Sequence, residues 1–148
     1  DEQFDMGNMP SAARRNEVII PIARIDRAAL RTLSFVDSLA AEKTAVFVAL
    51  EPAEAQQVRT QWKRAATDIP LVAIDSPFRS VTGPLIKYID RMSQEQSDAN
   101  IVVVVPEIIP RRRWQLLLHN QTVVLIKYVL LFRPRNRILI SVPFRLTE

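Results

Sequence analysis

The chain contains no cysteine, two glycines and one histidine among its 148 residues. Without cysteine there is neither a disulfide framework nor a thiolate metal site, and a reducing, cytosol-facing compartment is expected. A single histidine excludes a histidine-rich metal centre. The shortage of glycine removes a further class. Dinucleotide fingerprints and Walker loops need several glycines so that backbone amides can approach a phosphate closely. Here Gly7 lies in the N-terminal lead-in and Gly83 in a helical stretch, so neither motif exists. Long apolar runs are missing too. The longest, Val123 to Phe132, is broken by Lys127 and falls short of the roughly 20 residues that span a bilayer. The acidic, polar start does not read as a signal peptide.

What is present is an ordinary globular mixture, 48% hydrophobic and 24% charged, in a length suited to one domain with a real core. The charge is unevenly placed. Residues 1–107 carry 12 basic and 15 acidic side chains, a net −3, whereas residues 108–148 carry 8 basic and 1 acidic, a net +7. A basic last third favours an anionic partner: a phosphate, a nucleic acid or an acidic lipid surface.

Residues 1–16 lack periodicity and carry Gly7, Asn8, Pro10 and Ser11, which predicts a flexible linker ahead of a folded domain over 17–148. Within that domain, β-branched or apolar runs alternate with helical patterns. Strands are predicted at Val18–Ile22, Thr44–Leu50, Ile69–Ile74, Ile101–Val105 and Arg137–Val142. Asp26 is placed to cap a helix whose apolar face is Leu30, Leu33, Val36, Leu39 and Ala40. Glu51-Pro52 opens a second helix, with face Ala55, Val58 and Trp62. A third follows Ser76-Pro77 through Val81, Leu85, Tyr88, Ile89 and Met92. A fourth, long helix is expected from about Arg111 to Phe132. The β-α-β-α-β-α-β-α-β order with uninterrupted apolar strands predicts an α/β fold: a five-stranded parallel sheet with helices on both faces.

In such sheets ligands bind beyond the carboxyl ends of the strands, where strand order reverses. That nominates Ala23-Arg24, Leu50-Glu51, Asp75 to Arg79, and Pro106 to Arg113. Without glycine loops, a phosphate here needs side chains, and arginine suits it best. Arg111, Arg112 and Arg113 open the last helix, where the macrodipole disfavours cations and an anion would relieve the conflict; a solvated helix end is the plainer account. His119, Asn120, Gln121 and Thr122 interrupt an apolar helix, either as donors facing a ligand or as its polar side. Ser76, Phe78 and Arg79 leave the third strand, offering a turn, an aromatic for stacking a base and a cation; alternatively Phe78 packs in the core. Arg24 leaves the first strand, as a ligand or as a surface arginine. No Ser-His-Asp order, paired carboxylates or metal-ligand spacing stands out, so no enzyme, metal or cofactor is expected.

The strand order, the Val-Ile-Ile-Pro-Ile first strand and the closing strand Ile138 to Pro143 resemble the universal stress protein fold. The sequence departs from its nucleotide-binding members. Ala23 replaces their aspartate, Pro106-Glu107-Ile108-Ile109-Pro110 their glycine-rich loop, and His119-Asn120 their Gly-Ser pair. A narrower resemblance accounts for these departures. Pro-Glu-x-x-Pro-Arg-Arg-x-Trp followed by Leu-Leu-His-Asn-Gln is similar to the C-terminal cytosolic domain of APC-superfamily permeases, including KUP-type potassium transporters of the KimA kind. Ser76 to Ser80 and Pro84 to Asp90 fit the same group, and the resemblance covers about residues 17–146.

The resemblance implies a regulatory domain at the cytosolic face of the cell membrane, following the membrane part of a potassium or amino-acid transporter. It implies a homodimer and a cyclic dinucleotide, cyclic di-AMP, as ligand. Arginines and His119 suit the two phosphates, Phe78 the adenines, and a two-fold ligand suits a C2 dimer. The last strand would be the seam if it lies at a sheet edge. Nucleic acid is not an expected partner, because no aromatic-rich recognition motif accompanies the basic residues. The alternatives are a purely structural dimerisation domain or an ATP-binding stress protein.

Overall fold

The computed structural model describes residues 15–65, 67–109 and 137–145. They form strands β1 (Arg15–Ile22), β2 (Glu42–Ala49), β3 (Leu71–Asp75), β4 (Ala99–Ile109) and β5 (Arg137–Arg145). Between them lie helices α1 (Arg27–Asp37), α2 (Pro52–Arg64) and α3 (Thr82–Glu95). The strands make one sheet in the order β3-β2-β1-β4-β5, and every neighbouring pair is parallel. The expected α/β architecture is thus the observed one, a universal-stress-protein-like fold.

Period-two alternation along the strands divides the core into two layers. Val18, Ile20, Val102 and Val104 face α1 and α2, where they meet Leu33, Val36 and Trp62. Ile19, Val46, Ile101 and Val103 face the other way, onto Leu85, Tyr88 and Ile89 of α3. Because both faces are covered, these strands read as continuous apolar runs. The amino end of α1 is fixed as its sequence predicts: Asp26 Oδ1 accepts a hydrogen bond from the Ala29 amide at 2.9 Å. Glu54 in the first turn of α2 reaches back to accept from the N-cap Glu51 amide at 3.3 Å, a donor the helix leaves open, and from the preceding Leu50 amide at 2.9 Å. Trp62 closes the α2–β3 connection, its indole Nε1 donating to the Ile69 carbonyl at 2.8 Å.

The structure corrects several boundaries. β1 begins at Arg15, two residues inside the expected linker, because Arg15 and Asn16 already pair with Ala99 and Asn100 of β4. The linker's remainder and the expected fourth helix lie outside the described residues. On α1 the buried face is Ala28, Ala29, Thr32, Leu33 and Val36, while Leu30 is 47% exposed. Leu39 and Ala40 fall beyond the helix, which stops at Asp37. Small alanines let α1 approach the sheet closely, and the true stripe is rotated from the one the larger side chains trace. β3 starts at Leu71 rather than Ile69.

The largest difference is at β4. Pro106 to Ile109, read as a connection, continue the strand, paired with β5 as far as Ile109 opposite Arg145. The β1–β4 ladder ends at Ile19 opposite Val103. Past that point one edge of β4 has no partner among the described strands, and a proline, which lacks an amide hydrogen, is tolerated on such an edge.

Candidate functional site

The carboxyl edge of the sheet has two features that matter for a ligand. The first is the point where strand order reverses, between β1 and β4. Both strands continue beyond their last shared pair, β1 to Ile22 and β4 to Ile109. They part there, as expected of a ligand crevice in open α/β sheets. Arg24 follows β1 at this place. It is exposed, and its Nε donates to Asp26 Oδ2 at 2.8 Å. Asp26 therefore caps α1 with one oxygen and holds Arg24 with the other.

The second feature is the turn after β3. Ser76 is buried, and its hydroxyl donates to the Ser80 carbonyl at 2.8 Å and accepts from the Ser80 amide at 3.1 Å. Its own amide is bonded to the Ala49 carbonyl of β2 at 2.9 Å. Ser76 thus locks the turn, and its hydroxyl is already engaged on both sides. Arg79 completes the turn with φ of 53°, a left-handed conformation uncommon for a non-glycine residue. Its Nη2 lies 3.0 Å from Glu51 Oε1, linking the ends of β2 and β3. Phe78, between them, is 90% exposed. The core-packing alternative for this ring does not hold. Ser-Pro at the start of the turn and the Ser76–Ser80 bonds direct the chain outward there.

The structure gathers Ser76, Phe78 and Arg79 in one turn, whereas Arg24 sits at the end of β1, with β2 between β1 and β3. Arg111, Arg112, Arg113, His119, Asn120, Gln121 and Thr122 lie outside the described residues.

A groove of about 860 Å³ runs from this turn between β3 and α3. Val72, Ile74, Phe78, Lys87, Tyr88 and Arg91 are among its lining residues. β3 is an edge strand of the described sheet, so Val72 and Ile74 are only partly covered. Arg91 lies over the Tyr88 ring, 5.4 Å from its centroid, a cation–π arrangement. Burial pushes the Tyr88 phenol above its usual value, partly offset by Arg91. Sequence reasoning missed Lys87 and Arg91. Their spacing with Pro84 and Tyr88 is that of one helix face, but exposed cations on a helix ordinarily signal only a solvated side.

An open, all-parallel sheet in the order β3-β2-β1-β4-β5, with α1 and α2 on one face and α3 on the other, defines an α/β domain of Rossmann-like architecture, consistent with the universal stress protein fold. A family model described as the KimA potassium transporter C-terminal domain matches residues 14–144. The chain belongs to that family of transporter domains, which is not a family of enzymes. It is similar to the potassium transporter KimA of Bacillus subtilis (strain 168), 23% identical over 137 residues. That alignment covers 91% of this chain and 22% of the relative, so the chain spans about a fifth of the transporter it matches. No helix among the described residues is long and apolar enough to cross a membrane.

Proposed function

We propose that the chain is the regulatory domain of a potassium transporter, held at the cytosolic face of the membrane behind a transmembrane part. In this reading it binds a cyclic dinucleotide, cyclic di-AMP, at a dimer-related site. The observation that carries the reading is the match to the KimA C-terminal domain across residues 14–144. Two structural features support it. Phe78 offers an uncovered ring beside Arg79, the pairing of stacking surface and cation that a nucleotide uses. β5 is an edge strand of the described sheet, the kind of element through which a second copy can associate. Both Arg24 and Arg79 are held by carboxylates at the sheet's carboxyl edge, where a phosphate would compete for them.

Isothermal titration of the domain with cyclic di-AMP, against ATP and cyclic di-GMP, tests the reading. Selective binding near one ligand per two chains is the expected result. No heat with any of the three would overturn it and leave a structural dimerisation domain. That second reading is favoured by Ile138, 45% exposed on β5, and Phe35, 39% exposed on α1. An ATP-binding stress protein is the weaker account, since β4 continues as strand through Ile109 where a glycine loop would begin.

A further inference from the structure

The geometry points to the groove between β3 and α3 as the seat of a nucleotide's base and phosphate, with Phe78 as the base platform and Lys87 and Arg91 as the phosphate ligands. The inference rests on the nucleotide reading above but replaces its shared site: β3 and β5 are opposite edges of the described sheet, so the groove takes one ligand per chain, and calorimetry should give that stoichiometry.

Four observations converge. The groove's volume, about 860 Å³, is within the range of small-molecule sites. Its floor is apolar and half-covered, Val72 and Ile74 of an edge strand. Its mouth is the rigid turn that holds Phe78 outward, 90% exposed. An aromatic ring so exposed loses nothing by stacking on a base and gains apolar burial. Its helical wall is cationic: Lys87 and Arg91 stand one turn apart on α3, and Asp75 is the one carboxylate among the described lining residues. Two cations at i and i+4 reach a common anion. Phe78 and Lys87 line the same groove, so a nucleotide whose base stacks on Phe78 has its phosphate on the Lys87 side. Arg91 is already oriented by the Tyr88 face, and its contact with Glu95, 3.9 Å and exposed, is weak enough to be exchanged for a phosphate.

The test uses the whole 148-residue chain and cyclic di-AMP as the probe. A Phe78→Trp variant carries a fluorophore at the mouth, and its emission should shift on saturation. In calorimetry, Lys87→Ala and Arg91→Ala should each weaken binding about tenfold or more, and Phe78→Ala should weaken it as well. All three side chains are exposed, so circular dichroism should show the fold unchanged. If the wild type binds the probe while the Lys87 and Arg91 variants bind equally well and the Trp emission stays constant, the groove is not the site. The nucleotide reading would then survive without it. If the wild type does not bind at all, the nucleotide reading itself has failed.

Discussion

Arg137, the first residue of β5, forms an ion pair with Asp90 of α3, Nη2 to Oδ1 at 2.6 Å, and both side chains are largely buried. Arg137 also reaches Ser93 Oγ at 3.4 Å. An edge strand of the described sheet is thus fastened to a helix that packs on the opposite face from α1. Asp90→Ala leaves the guanidinium without its carboxylate in a poorly hydrated place. The expected loss is about 3 kcal/mol of stability, measured as a lower urea midpoint with unchanged slope. An Asp90→Leu, Arg137→Met double variant should recover most of that loss, since two apolar side chains leave no stranded charge.

Trp62 fastens α2 to the β3 end of the sheet. Its indole fills the space under α2 and satisfies the Ile69 carbonyl. Trp62→Phe keeps most of the volume but strands that carbonyl, which costs about 1–3 kcal/mol. Trp62→Ala adds a cavity and should cost about 3–5 kcal/mol. Thermal unfolding of the two variants separates the hydrogen bond from the packing.

Tyr88 couples stability to alkaline pH. Its phenol is raised above the ordinary value of 10.0, first by burial and then by Glu95 and Glu17, with Arg91 opposing. A raised folded-state value means the neutral phenol is favoured by folding. The stabilisation is complete below the unfolded value and is lost as pH rises through the folded one. Stability should therefore fall above pH 10, and Tyr88→Phe should reduce that fall. Chemical denaturation across pH 8 to 11 checks both.

The Arg79–Glu51 pair is exposed on both sides. Glu51→Gln should release Arg79 with little effect on stability, because the α2 start keeps its Glu54 bonds to the Leu50 and Glu51 amides. If Arg79 contacts a phosphate, cyclic di-AMP binding should tighten by no more than about fivefold, the scale of an exposed pair. Calorimetry at two salt concentrations reads this directly.

Ile138 tests the edge of the sheet. A lysine on an edge strand opposes strand-to-strand association. If the chain dimerises through β5 as proposed, Ile138→Lys should shift it toward monomer in sedimentation velocity, with the circular dichroism spectrum unchanged.

The sequence by itself determined the architecture. Runs such as Val18–Ile22 and Ile101–Val105 are apolar at every position, which only a strand buried on both faces tolerates. Ala55, Val58 and Trp62 fall on one helical stripe, and all three are buried. Asp26 caps α1 as its position before an amphipathic stretch predicts. These signals are local, carried by periodicities that each element imposes on its own side chains. The absence of glycine loops likewise excluded whole classes of phosphate site without any coordinates.

Tertiary structure decided the rest. That Pro106 to Ile109 extend β4 depends on a partner strand thirty-six residues away in register, Val142 to Arg145, which no local pattern announces. That Ser76 is a lock and Phe78 an exposed ring depends on bonds to Ser80 and Ala49. The groove beside Lys87 and Arg91 exists only because β3 lies at an edge of the described sheet, and strand order is a property of the assembled sheet rather than of any strand in it.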